Sequence, residues 1–216
     1  AAVAIMAEDK NPAQPRSMTL MAGPVDTRVN PTGVNRLANE KSIGWFERNL
    51  ISTVPHRHAG GGRKVYPGFV QLIAFMSMKV TRHAKAHREM FRHMAQGEIE
   101  KAEAYQAFYD EYFAVFDLPA EFYLETVAKV FQDAALAKGE LTYRGRAVDP
   151  GAIRRTALFT VEGERDDICA PGQTVAAHDL CTGLNPAMKR HHLQAGVGHY
   201  GVFSGRRWES QIYPLV

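Results

Sequence analysis

The chain of 216 residues is 45% apolar, 10% aromatic and 23% charged, and its 26 basic and 23 acidic side chains leave a net charge of +3. That length suits one globular unit or at most two, the apolar content excludes a disordered chain, and eighteen Gly and eleven Pro without a fixed period exclude a fibrous repeat. The charge is too small to mark a nucleic-acid binder, and the longest apolar runs, 1–7 and 69–78, fall well short of the ~20 residues of a membrane span.

In chain order, AAVAIMAED at 1–9 reads as a helix packed on a sheet, followed by an Asn11-Pro12 loop. Residues 17–22 read as a buried strand halted at Gly23-Pro24, because Pro24 lacks a donor. From Val34 to about Lys138 apolar residues recur three and four apart, and the pattern predicts an all-helical insertion with one break, at Val65-Tyr66-Pro67 after Gly60-Gly61-Gly62. Within it Tyr105, Phe108, Tyr109, Tyr112, Phe113 and Phe116 share one stripe, the pattern of an internal core, with an exposed apolar surface as the alternative. A further helix follows Asp117-Leu118-Pro119.

After Gly139 the texture is α/β again. Residues 156–161 form an apolar run suited to a parallel strand covered on both faces and ended by Gly163. A helix is predicted from Pro171-Gly172 to Gly183, a strand over 190–195 closing at Gly196-Val197-Gly198, and a last short helix from Ser204 through Trp208. The expected fold class is therefore α/β: an open, mostly parallel sheet with a large helical cap at the C-terminal edge of its strands.

Asp166 and Asp167 stand on the loop after one expected strand, and His199 follows the next, between Gly198 and Gly201. Loops at the C-terminal ends of parallel strands are where ligands and catalytic groups collect. A carboxylate on Nδ1–H would orient the imidazole, so that Nε2 can take a proton from a hydroxyl or thiol. Asp166 and His199 are the candidate catalytic pair. The plainer alternative is that Asp166 caps the segment that follows and His199 is an ordinary loop histidine. No serine or cysteine here lies in a G-x-S-x-G elbow; the nearest approach, Asp179-Leu180-Cys181-Thr182-Gly183, has Asp in place of the first Gly. Either the chain is not such an enzyme, or its nucleophile lies upstream of Ala1; it begins with Ala rather than Met, as a fragment or a processed chain would.

The stretches TLMAGPVDTRVNPT, DLPAEFYLETVAKVFQDAALAKGEL, YRGRAVDPGAIRRTALFTVEGERDDICAPGQT and AGVGHYGVFSGRRW, in this order and spacing, closely resemble the C-terminal part of the intracellular polyhydroxybutyrate depolymerases. The resemblance implies an α/β-hydrolase-like sheet lacking its N-terminal strands, built from residues 1–33 and 139–216, with 34–138 as the cap or lid. It implies hydrolysis of ester bonds in poly(3-hydroxybutyrate) by a Cys or Ser nucleophile, His and Asp, at granules in the cytoplasm and without a cofactor. It places the family's acid at Asp166, in GERDD, and its base at His199, in VGHYG. Two other readings stay open: a polyhydroxyalkanoate synthase-like acyltransferase, or a non-catalytic granule-binding fragment.

The remaining features read more plainly. Cys169 and Cys181, twelve positions apart, have neither metal-knuckle spacing nor the look of a disulfide framework, so a reducing compartment is expected. The opening AAVAIMA lacks the preceding basic residues of a signal peptide. His83 and His87 lie four apart without the Glu of H-E-x-x-H or a third ligand, so no metal is expected. Lys79, Arg82, Lys85, Arg88 and Arg92 make a solvated basic face, with an anionic granule coat as the sharper alternative. The 56–63 stretch is expected to be a hinge in the cap, and Asp26, Arg28 and Asn30 are expected to tie loops together.

Overall fold

The computed structural model describes residues 1–78 and 80–216, the Arg82 side chain excepted. In chain order the elements are α1 (Ala2–Glu8), β1 (Ser17–Met21), α2 (Gly33–Glu40), α3 (Ile43–Leu50), β2 (Ser52–Thr53), β3 (Lys64–Tyr66), α4 (Gly68–Met78), α5 (Val80–Ala95), α6 (Ile99–Phe113) and β4 (Leu118–Pro119). They continue with α7 (Ala120–Thr126), α8 (Ala135–Lys138), β5 (Thr142–Tyr143), β6 (Arg146–Ala147), β7 (Ala157–Gly163), α9 (Ala177–Leu180) and β8 (Lys189–Gln194). The chain forms two compact units, Ala1–Ser42 with Glu125–Val216, and Ile43–Leu124.

The first unit is mixed α/β around a three-stranded sheet in the order β1-β7-β8, parallel throughout. Central β7 is paired on both edges and packed on both faces, and the cover on both faces is why its sequence is nearly all apolar or small. Successive side chains point to opposite faces. Leu158 joins a core with Ala4, Val148, Ile153, Ala177, Cys181 and Leu184, while Val161 joins Ala22, Val197, Val202 and Ile212. Thr160 and Glu162 share the Leu158 face, both fully buried.

Helix α2 starts at a reciprocal cap: the Thr32 hydroxyl accepts from Asn35 N–H at 3.3 Å, and Asn35 Oδ1 accepts from Thr32 N–H at 2.8 Å. Residues Val127–Gln132 wind as a π-helix. Its Val130 and Phe131 carbonyls accept from Thr27 Oγ1 at 3.1 Å and Asn39 Nδ2 at 3.2 Å, so the loosened turn is held by side chains.

The second unit corrects the expectation of an all-helical insertion. Beside helices α3 to α6 it contains a small antiparallel sheet, β2-β3-β4, in which Val65 pairs with Pro119 and Ser52 with Val65. The 56–63 stretch, expected to be a hinge, lies in the 54–63 loop of the β2–β3 hairpin, with Val54 N–H on the Arg63 carbonyl at 2.9 Å. Strands of two or three residues, one of them paired across some fifty positions, leave no periodicity to read.

The aromatic stripe divides between the two readings given it. Tyr109 is buried and stacks on His87, with its hydroxyl 3.0 Å from His83 Nδ1, whereas Phe116 is 74% exposed. Phe69, Ile73 and Phe91 of the same unit are also largely exposed. Of the basic row on this stretch, Lys85, Arg88 and Arg92 are exposed, and Lys79 and the Arg82 side chain lie outside the described residues. No helix among the described residues is long and apolar enough to cross a membrane.

Candidate active site

Asp166 lies on the loop that leaves the end of β7, and His199 opens a short 3-10 helix, His199–Val202, beyond the adjacent end of β8. Three contacts hold the loops together: Glu164 N–H to the Gln194 carbonyl at 3.0 Å, Arg165 N–H to the Val197 carbonyl at 2.9 Å, and Gly196 N–H to Glu164 Oε2 at 2.7 Å. Arg207 adds a side-chain hydrogen bond to the Ala195 carbonyl. The approach requires glycine at two positions. A Cβ on Gly163 would stand 2.9 Å from the Val197 carbonyl oxygen, and one on Gly201 would stand 2.8 Å from Val197 Cβ. The room left by these glycines is taken by the protein's own backbone and side chains.

The two side chains meet. His199 Nδ1 lies 2.8 Å from Asp166 Oδ2. A carboxylate only accepts, so Nδ1 carries the hydrogen and Nε2 is the nitrogen left to exchange a proton. The Asp166 carboxyl is wholly buried, while the His199 side chain keeps 23% of its exposure. Tyr200 and Phe203 meet the ring edge-on, each at 5.7 Å between centroids. A buried carboxylate is costly unless it is hydrogen-bonded. Asp166 meets that demand by also accepting, through Oδ1, the N–H groups of Ile168 and Cys169, both at 2.9 Å.

The capping role given as the plainer alternative for Asp166 is therefore real, and the same residue faces the histidine as well. Of Asp26, Arg28 and Asn30, expected to tie loops together, Asn30 does so through its side chain and Asp26 through its backbone N–H on the Gln173 carbonyl at 3.1 Å, whereas Arg28 pairs with Asp26 inside its own loop. Asp26 and Arg28 form a two-pronged pair at 2.8 Å per contact, and Arg28 holds the Asp26 carboxyl below its ordinary range. Asn30 Nδ2 donates to the Pro171 carbonyl at 2.7 Å. Both cysteines are buried free thiols. Burial pushes the Cys169 thiol up to about 12 and raises that of Cys181, the reverse of what an attacking thiolate needs.

Sequence reasoning missed a polar cluster behind the pair. Thr160 Oγ1 lies 2.9 Å from both His178 Nε2 and His191 Nδ1. Glu162 accepts three backbone N–H groups from residues 172–175. The available signal was Thr160 and Glu162 two apart in an otherwise apolar strand: two polar groups on one buried face must have partners there. A depression of about 510 Å³ lined by Asn11, Pro12, Gln14, Pro15, Arg16 and Arg155 lies where β1 and β7 begin, at the opposite end of the strands. Among the described residues no group of three or more His, Cys, Asp or Glu side chains could hold a metal ion.

The family model of the PHB de-polymerase C-terminus matches residues 22–216. The chain belongs to that family. PHB de-polymerase membership ties the chain to PHB degradation, and the match includes Asp166, His199 and the loops that join them. No curated protein matches the chain.

Proposed function

We propose that these 216 residues are the acid–base half of an ester hydrolase acting on poly(3-hydroxybutyrate), with a Cys or Ser nucleophile from outside them. In this reading 1–33 and 139–216 are the C-terminal half of an α/β-hydrolase core, and 34–138 are its cap. His199 Nε2 takes the proton of the nucleophile as its oxygen or sulfur bonds to the ester carbonyl carbon, then passes that proton to the departing hydroxyl of the polymer chain. Water next attacks the acyl group by the same route and releases a 3-hydroxybutyrate unit or oligomer. Asp166 keeps the imidazole in the required tautomer and stabilises the imidazolium. One backbone donor for the tetrahedral oxyanion would come from the residue that follows the nucleophile.

The observation that carries this reading is the 2.8 Å contact between His199 Nδ1 and a fully buried carboxylate. Exposed Phe69, Ile73, Phe91 and Phe116 add support, since unburied apolar side chains suit contact with an apolar polyester at a granule surface.

The test joins the 216 residues to the coding sequence that precedes them and measures 3-hydroxybutyrate release from amorphous polymer. His199→Ala in the joined protein is expected to abolish release. Retained turnover in that variant would overturn the assignment, and polymer growth with release of free coenzyme A from a thioester would point to acyl transfer instead.

A further inference from the structure

Glu162 is one of the most deeply buried charged residues of the first unit, 1% exposed, and it lies outside the proposed proton path. It sits next to last in β7, four residues before Asp166. Its Oε2 accepts Gly172 N–H at 2.9 Å, and its Oε1 accepts Thr174 and Val175 N–H at 2.7 and 2.9 Å. These donors belong to the far end of the segment that carries Asp166, so one carboxylate closes the loop from strand end to helix start. The closure continues inward. Thr174 Oγ1 lies 3.6 Å from Cys169 Sγ and donates to the Gly23 carbonyl at 2.9 Å, while Cys169 N–H is itself one of the two amides on Asp166 Oδ1. His191 Nε2 lies 3.8 Å from Glu162 Oε2.

We infer that Glu162 is a positioning residue for the Asp166–His199 pair: by holding the return path of the 164–175 segment it fixes where the Asp166 carboxylate stands against the imidazole. A buried carboxylate with three backbone donors is a rigid anchor, because each charge-assisted bond constrains a different amide and losing the acceptor leaves all three without a partner. The functional meaning rests on the acid–base reading of the pair. The geometric claim does not, and it is tested without asking whether an ester is cleaved.

The experiment is nitrogen-15 and proton NMR of the 216-residue protein, reading the hydrogen-bonded Nδ1–H of His199 and the exchange protection of the Gly172, Thr174 and Val175 amides. Asp166→Asn identifies the His199 signal by moving it. In Glu162→Gln, which keeps volume but replaces one acceptor oxygen with a donor, the remaining oxygen can serve only one side, so protection is expected to be lost at Gly172 or at Thr174 and Val175, and with it the Nδ1–H signal, while a cooperative melt is retained. An unchanged Nδ1–H signal in a folded variant whose amides at 172 or at 174–175 exchange freely would overturn the inference. Should Glu162→Gln fail to fold, Glu162→Asp, one methylene shorter with its charge kept, is read the same way. Failure of both to melt cooperatively also overturns it, because Glu162 would then hold the fold as a whole and not the pair.

Discussion

Asp166 gives one carboxylate oxygen to the His199 ring and the other to the backbone of Cys169, at 2.8 and 2.9 Å. The same group therefore orients the imidazole and shapes its own loop, and the two tasks can be separated by substitution.

Asp166→Asn retains an oxygen that can accept from the loop amides but turns an NH2 toward His199, so the ring must present a bare Nδ1 and carry its hydrogen on Nε2. In the joined protein kcat is expected to fall by roughly 10³–10⁴, as for the wrong tautomer in a triad, with a modest change in melting temperature. Asp166→Ala also strands the amides of Ile168 and Cys169 and is expected to lower stability by about 1–3 kcal/mol more. Steady-state kinetics and denaturant unfolding on both variants check the separation.

Gly163→Ala puts a methyl 2.9 Å from the Val197 carbonyl oxygen and 3.1 Å from Val202 Cγ2, where the His199 loop crosses the end of β7. The loop must shift to admit it. The expected cost is about 1–3 kcal/mol in chemical unfolding, together with loss of the His199 Nδ1–H resonance; unchanged stability would show that the crossing is looser than the contact implies.

His178 titrates below its ordinary value of 6.5, first through burial and then through the nearby His191 and Lys189. A folded-state value lower than the unfolded one means that the unfolded chain takes up the proton first as pH falls. Stability is then highest above about pH 6.5 and declines below it. Raising the pH from about 5 to about 7 is expected to raise the melting temperature of the wild type more than that of His178→Gln, whose side chain has no such titration. Equal slopes in the two proteins would remove His178 from the account.

Cys169 and Cys181 are expected to resist alkylation in the folded protein and to react fully once it is unfolded, because burial keeps both thiols protonated. Cys169→Ser in the joined protein should keep kcat within about twofold, as no step uses the thiol. Rapid native labelling at either position, read by mass spectrometry, would contradict this.

What the sequence disclosed and what it hid follow from the range of the interactions. The apolar runs at 17–22 and 156–161 and the stretch at 190–195 correspond to β1, β7 and β8, each offset by a residue or two at its ends, because a strand in a parallel sheet is written locally in its own side chains. Asp166 and His199 were legible for a similar reason: each follows such a strand closely. The helix expected from Pro171 instead opens as turns over 171–176 and becomes α-helical only at Ala177, since Glu162, ten or more residues earlier, captures the amides of Gly172, Thr174 and Val175. Nothing near Pro171 announces that competitor. The small sheet in the second unit was hidden likewise, as Tyr66 finds its partner Leu118 only in space.

Parallel neighbours in a sheet run about 4.8 Å apart, so chains departing from adjacent tips come within reach of one another without long excursions. Asp166 and His199 inherit their separation from that lattice of strands. Transplanting the pair into another scaffold would accordingly mean carrying over two strand tips and the glycine at their crossing, because the carboxylate and the imidazole hold no spacing of their own.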